Sequence, residues 1–399
     1  NMISISNLVF RMKKNAVGLA TIAILSSMVL VTLVGAASIY AGKKDYLASS
    51  APHDYSVTGT NVDLTSTRRA IDDFLVQTGN QVNRKVEASY LYFGIKEQEK
   101  NKLTIFSENE RKVLPKSIFL VFSQSTYKQL TGKDLNLTSN QVGLFTKNKT
   151  LKDQKSLSVN SQTYQIHDSL NDFLKGKVPN LFTIIVSDYS YLVVPDMDDF
   201  QESIKGTATT QATYVGVNVK DPSHDAKKNS DLLDKITDKE TQQLAGQTTG
   251  LPKSYFTANS RYDAEGMVNG FVGGTFFIGI FLSIIFMLGT VLVIYYKQIS
   301  EGYEDRERFV ILQKIGLDDL QVKQTIGKQV LTVFFLPLIF AFIHLAFAYH
   351  MISLIVRIIG VLNPSLMLVV TIIVCGVFFL AYILVFALTS RSYRRIVSM

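Results

Sequence analysis

The chain has 399 residues, 47% of them hydrophobic and 19% charged, with a mean hydropathy of +0.18. That balance excludes a fully soluble protein, a disordered chain and a collagen-like repeat, and a single cysteine, Cys375, excludes a disulfide scaffold. The net charge of +8 is not a nucleic-acid signal either: segment 43–266 balances 28 Lys/Arg against 27 Asp/Glu, and segment 297–329 has six of each. The excess sits at Arg11, Lys13 and Lys14, at Arg357, and at Arg391, Arg394 and Arg395. These positions flank the apolar runs, where positive residues hold loops in the cytoplasm, and they leave no basic groove for a phosphate backbone.

Residues 1–15 read as a cytoplasmic amphipathic lead-in, with Ile3, Ile5, Leu8, Val9 and Met12 near one helical face. A frayed start is the other reading. Residues 16–41 carry no Asp, Glu, Lys or Arg and exceed the ~20 residues that span the hydrocarbon, so they form transmembrane helix 1. Their length also favours an anchor over the roughly 7–15-residue apolar core of a cleaved signal peptide.

Segment 43–266 is mixed. Thr65 or Ser66 is placed to cap a helix over Thr67–Thr78, which Gly79 stops. Strands are expected at Val86–Phe93, Leu103–Phe106, Ser117–Phe122, Leu181–Val186, Tyr191–Val194 and Tyr214–Val219, where aromatic and β-branched residues lie between polar turns. A further helix is expected at Ser230–Ala245, and Lys147–Lys155 and Pro222–Asp231 read as polar loops. The segment holds enough apolar sequence for an α+β domain of about 200 residues.

Segments 267–296, 330–356 and 365–390 are transmembrane helices 2, 3 and 4, and 391–399 is a cytoplasmic tail. Helix 2 carries Gly270, Gly273, Gly274 and Gly279, and the spacing of Gly270 and Gly274 lets a second helix approach closely. Static packing and a seam that shifts both fit that spacing. Pro337 is placed to kink helix 3. The positive-inside bias puts both termini and 297–329 in the cytoplasm and 43–266 outside the cell. The expected fold is an α-helical integral membrane protein with four transmembrane helices and a large α+β extracellular domain between helices 1 and 2.

The most informative stretch is the cytoplasmic elbow 297–329. Helix 2 continues past the membrane, with Glu304 and Arg308 as an i,i+4 pair. Phe309, Leu312 and Ile315 give an apolar stripe, Gly316 is placed to end the helix, and Asp318 or Asp319 to cap the next. The stripe has no membrane to bury in. It packs either on a protein partner or on the chain's own next helix.

The run YYKQISEGYEDRERFVILQKIGL, preceded by GGTFFIGIFLSIIFMLGTVLVIYYKQ, resembles the FtsX-like permeases of ABC transporters. It is most similar to the Bce-type, bacitracin-resistance permeases of Gram-positive bacteria, and the opening RMKKNAVGLATIAILSSMVLVT resembles the span before their large extracellular domain. The resemblance implies a separate cytoplasmic ABC ATPase, a dimer that binds ATP itself, so the chain needs no cofactor. It implies a coupling helix in the elbow: Glu301, Gly302, Tyr303 and Glu304 match the start of the family's motif, and Arg306, Glu307, Arg308, Lys314 and Gly316 its docking part. An antimicrobial peptide or a lipid-linked cell-wall precursor is the implied ligand of the outer domain, and a membrane histidine kinase the implied sensing partner. Family members have ten spans, so a chain with four corresponds to their C-terminal part or a split variant, with the N-terminal spans of the same permease as a further partner.

The sequence carries no G-x-x-x-x-G-K-[ST] loop, no H-E-x-x-H and no G-x-S-x-G, which argues against a nucleotide, zinc or serine-nucleophile site of its own. The expected function is therefore that of a non-enzymatic permease subunit, which couples ATP hydrolysis on its partner to movement of the outer domain and so confers peptide resistance. The alternative is an FtsX-like regulatory scaffold that controls an extracellular cell-wall hydrolase and transports nothing.

Overall fold

The computed structural model describes residues 16–110, 115, 117–179, 186, 188–245, 253–314, 319–359, 361 and 363–397. The chain divides into two compact units, Lys44–Asn269 and Asn1–Lys43 with Gly270–Met399. The lead-in 1–15, and all of the expected strand Leu181–Val186 except Val186, lie outside the described residues.

In the soluble unit, α2 (Lys43–Ser50) leads to β1 (Tyr55–Thr60) and α3 (Leu64–Thr78). Helix α3 starts three residues earlier than its sequence suggests. Asp63 is the N-cap, accepting from the Ser66 backbone N–H at 2.9 Å, and a carboxylate there also meets the positive end of the helix dipole. Gly79 ends the helix at φ 67°, a conformation open to glycine at no steric cost.

The next elements are β2 (Val82–Glu99), β3 (Lys102–Ile105), β4 (Ser117–Ser123), α4 (Gln124–Thr131), β5 (Gln141–Thr146), β6 (Ser156–Val159), β7 (Gln162–Ser169) and β8 (Asp188–Val194). Then come α5 (Met197–Ser203), β9 (Thr209–Val219), α6 (Ala226–Ala245) and β10 (Tyr255–Ser260). Strand β2 pairs with β9 along one edge over Val82–Phe93, and with β4 along the other over Tyr90–Ile95. Following the ladder β2–β3–β6–β7–β5–β8–β4 returns to β2, so seven strands close into a ring. Closure pairs backbone groups that an open sheet leaves exposed at its edges.

All seven ring strands contribute to one core, including Leu91, Leu103, Phe119, Leu144, Leu157, Tyr164 and Leu192. Because side chains alternate along a strand, Ile118, Leu120 and Phe122 of β4 point the other way, into a second core with Tyr127, Phe173 and Tyr191. This double burial explains the unbroken apolar run SIFLVFS. The polar segment Lys147–Lys155 is pinned by one residue, Leu151, fully buried in the ring core. Beyond β9 the sheet extends through β1 to β10, and helices α3 and α6 cover it with Ile71, Phe74 and Leu233. Helix α6 begins at Ala226, inside the segment expected to be a loop, and Asn229 and Ser230 are buried.

His53, also buried, lies against Gly216, where any Cβ would overlap its ring, and its Nδ1 is 2.7 Å from the Tyr214 hydroxyl. Burial, helped by the Arg84 guanidinium, pushes its pKa down to about 4.

The second unit holds α1 (Ala16–Ala41), α7 (Arg261–Lys314) from Gly270 onward, α8 (Asp319–Ile358) and α9 (Pro364–Val397). Each contains a stretch long and apolar enough to cross a membrane, and the soluble α+β unit is inserted between the first and the second. Helix α7 meets α1 at Gly279, packed on the Ala36 methyl, and at Gly289 beside Leu25. Tyr40 stacks on Phe276 with ring centroids 4.5 Å apart. Gly270, Gly273 and Gly274 do not make this seam: a Cβ at any of them would meet nothing within 4 Å. Helix α8 joins α1 through Ser27 and His344, and joins α9 through the Tyr382 hydroxyl, which donates to the Phe334 carbonyl at 2.8 Å. Pro337 lies inside α8, which runs on through it.

Two outcomes test this packing. Gly279→Leu forces α1 and α7 apart and lowers the thermal unfolding midpoint of the detergent-solubilised protein, whereas Gly270→Leu leaves it within about a degree. For His53, a folded-state pKa below the usual ~6.5 means that the unfolded chain binds more protons between those values. Stability conferred by neutral His53 is thus complete above about pH 6.5 and is lost as pH falls toward 4. Urea unfolding of unit 44–269 at pH 7 and pH 4.5 is expected to show on the order of 2–3 kcal/mol of acid destabilisation that His53→Gln removes.

Candidate functional site

The site begins where α7 leaves its apolar run. A helix of 54 residues is about 80 Å long, whereas ~20 residues suffice to cross the hydrocarbon. Residues 297–314 therefore continue as helix for about five turns past the apolar segment 267–296. No proline interrupts them, and no glycine after Gly302, so the backbone ladder can run unbroken.

The inner side of this extension continues the packing stripe of the span. Val272, Gly279, Ser283, Thr290, Ile294, Gln298 and Gly302 are all buried, each four or seven residues after the last, along one side of the helix. Near the turn out of the apolar run, Tyr295 and Tyr296 are exposed, with their rings edge to face at 5.9 Å. Aromatic residues of this kind favour the membrane–water boundary. Gly18 of α1 lies against the Lys297 side chain. Next to it Gln298 is 2% exposed, and neither polar atom of its amide has a hydrogen-bond partner among the described residues.

Of the residues expected to couple, Gly302 is buried on the stripe, while Tyr303 and Arg306 are exposed. Glu301, Glu304, Glu307, Arg308 and Lys314 fall on α7 with side chains outside the described residues, and Gly316 lies outside them altogether. So do the side chains of Phe309, Leu312 and Ile315, while Asp319, one of the two expected caps, is the first residue of α8. At 100° per residue, positions 303, 306, 307 and 314 fall within about 100° of arc, and 301, 304 and 308 share a second face turned away from Gly302. The described side chains give a helical rod with one buried stripe and, away from it, exposed Tyr303 and Arg306. Among the described residues no group of three or more His, Cys, Asp or Glu side chains gathers as a metal site.

Sequence reasoning noted Gly279 without placing it at the seam, and missed Gln298. Gly279 carried a signal: with Ser283 it repeats the small-xxx-small spacing that drew attention to Gly270 and Gly274. Gln298 carried none, because a glutamine just past an apolar run reads as solvated.

No protein-family model matches the chain. Three curated relatives, all from Bacillus subtilis strain 168, do. The uncharacterized ABC transporter permease YvcS is 31% identical over 121 residues, 30% of this chain and 18% of that protein. The ABC transporter permease protein YxdM is 36% identical over 72 residues, 18% of this chain and 12% of that one. The bacitracin export permease protein BceB is 28% identical over 138 residues, 35% of this chain and 19% of that one. The match thus spans less than a fifth of each relative's length. Among solved structures, a putative lipoprotein from Bacillus anthracis is 10% identical, covering 44% of this chain and 92% of its own at a TM-score of 0.25, too low to bear on the fold. Through these shared segments the chain is related to the ABC transporter permeases, the bacitracin export permease among them.

Proposed function

We propose that the chain is a membrane subunit, or part of one, of an ABC transporter, and that its elbow receives the stroke of a separate, dimeric ATPase that binds and hydrolyses the ATP. The observation that carries this reading is the continuity of α7. Its first residues, Arg261–Asn269, belong to the soluble unit, its middle is apolar, and its last five turns bear the charged faces. A helix keeps its backbone hydrogen bonds inside itself, so a push on the elbow can be transmitted along it into the apolar span.

Within the soluble unit the start of α7 is capped: Ser260 accepts from the Asp263 backbone N–H at 3.1 Å and donates to the Asp263 carboxylate at 2.7 Å, while the Ser230 hydroxyl of α6, with one proton to give, lies within hydrogen-bond reach of both side chains. In this proposal the elbow lies in the cytoplasm with both termini, the soluble unit lies outside the cell, and Tyr303, Arg306, Glu307 and Lys314 face the ATPase. The similarity to the bacitracin export permease supports a role in resistance to antimicrobial peptides. The outer domain would then release a peptide from its cell-wall lipid target or signal its presence to a membrane histidine kinase.

The test is charge reversal at the exposed face. Placing like charges across an interface costs several kcal/mol. Arg306→Glu combined with Lys314→Glu is therefore expected to cut co-purification of the ATPase from host membranes at least tenfold and to abolish peptide resistance. The same reversal at Lys149 and Lys152, in the soluble unit, should change neither. Retention of the ATPase by the elbow variant would overturn the coupling assignment. Retained coupling with no peptide phenotype would favour the hydrolase-regulating scaffold instead.

A further inference from the structure

One end of the soluble unit gathers cations without an answering carboxylate. On β2, Arg84 shares a face with Val86 and Ala88, because side chains alternate along a strand. Phe173, Leu174 and Val178 pack on that face, and the chain between the last two carries Lys177. The Lys177 ammonium donates one proton to the Leu130 carbonyl at 2.6 Å, which leaves two. Arg84 is exposed, and neither it nor Lys177 forms an ion pair among the described residues. Glu87 lies one residue out of phase and binds Arg68 of α3 instead. Asp54 accepts from the Val219 backbone N–H at 3.0 Å, and Asp45 lies 4.0 Å from Lys175.

The neighbours register this uncompensated charge. Burial, and then the Arg84 guanidinium, holds the Lys177 ammonium below its ordinary pKa, and the same two causes act on His53. His53 lies against Gly216, which pairs with Val86 on the same face, and its buried Nε2 has no hydrogen-bond partner among the described residues. Like charges that act on one another are relieved by an anion set between them.

The path of the chain says which anion is at hand. Span 1 ends at Ala41 and the soluble unit begins at Lys44. Three residues reach at most about 11 Å, little more than the depth of the headgroup layer beyond the hydrocarbon. Helix α2 starts there, with Lys44 exposed and Asp45 beside Lys175, two residues from Lys177. At such a surface, lipid phosphates far outnumber dissolved anions. A zwitterionic headgroup carries its own ammonium, which the cluster repels. We propose that Arg84 and Lys177 bind the phosphate of an anionic glycerophospholipid such as phosphatidylglycerol. The guanidinium offers two parallel N–H donors, and the ammonium one of its two remaining protons. The inference needs only the insertion of the soluble unit after span 1, and is independent of the ATPase reading.

The test crosslinks the site to its lipid. A benzophenone amino acid replaces Val82, 38% exposed and two residues from Arg84. The full chain is reconstituted into vesicles of equal parts phosphatidylglycerol and phosphatidylethanolamine, and lipid adducts are identified by mass after illumination. Each basic residue near an anionic surface strengthens association about fivefold, so phosphatidylglycerol adducts are expected to lead by at least that factor. Arg84→Gln with Lys177→Gln should remove the preference, and Arg84→Lys, which keeps the charge, should retain most of it. Lys149→Gln with Lys152→Gln removes the same charge elsewhere in the soluble unit and should leave the ratio unchanged. If Lys177→Gln lowers the thermal unfolding midpoint, Arg84→Gln alone carries the comparison and is expected to reduce the ratio. Equal adducts in the unaltered chain, no lipid adduct, or a preference indifferent to Arg84 would overturn the proposal. So would loss of the adducts to millimolar inorganic phosphate, which marks a site for a dissolved anion.

Discussion

Hydrocarbon offers no partner to a backbone amide, and most of this architecture follows from that constraint. Each apolar segment must satisfy its own N–H and C=O groups, so α1, α7, α8 and α9 are uninterrupted helices, and α8 tolerates Pro337 by continuing through it. Lipid tails are as apolar as leucine and provide little hydrophobic drive between helices. Contacts must then come from close approach and a few hydrogen bonds. The membrane unit uses both, with Gly279 against Ala36, Gly289 beside Leu25, and the Ser27–His344 and Tyr382–Phe334 bonds.

The soluble unit answers the same backbone requirement in a different solvent. Its strands pair around a ring, and the interior is filled by alternate side chains of all seven. Strands β4 and β8 are buried on both faces, so packing there is fixed by volume. Truncating a fully buried leucine such as Leu192 costs about 2–5 kcal/mol in such settings. A rigid body of this kind suits an element that is moved as a whole, since a closed, well-packed ladder has few ways to absorb a displacement within itself.

Helix α7 brings these themes together. The stripe that packs it in the membrane unit runs on to Gln298 and Gly302, so the first turns of the elbow are held by the same geometry as the span.

The sequence by itself determined the membrane spans, the insertion of an α+β segment between the first two, and the helical elbow, because length and charge decide what hydrocarbon will accept. It also exposed the strands buried on both faces, whose apolar runs are unbroken. It did not reveal β1, β5, β6, β7 or β10, in which turn-like and polar residues such as Gly59, Gly143, His167 and Asn259 interrupt the pattern. Strands β6 and β7 bury one face and β5 both, and each exists because its neighbours supply the pairing, β5, β6 and β7 within the ring and β1 and β10 in the extension beyond β9. The cap of α3 moved to Asp63 because hydrogen-bond geometry, invisible in composition, selects among neighbouring candidates. Tertiary structure alone decided which glycine forms the seam. Gly270, Gly274 and Gly279 are equally small, and only the rotation of α7 against α1 brings Gly279 to Ala36 and turns the others outward.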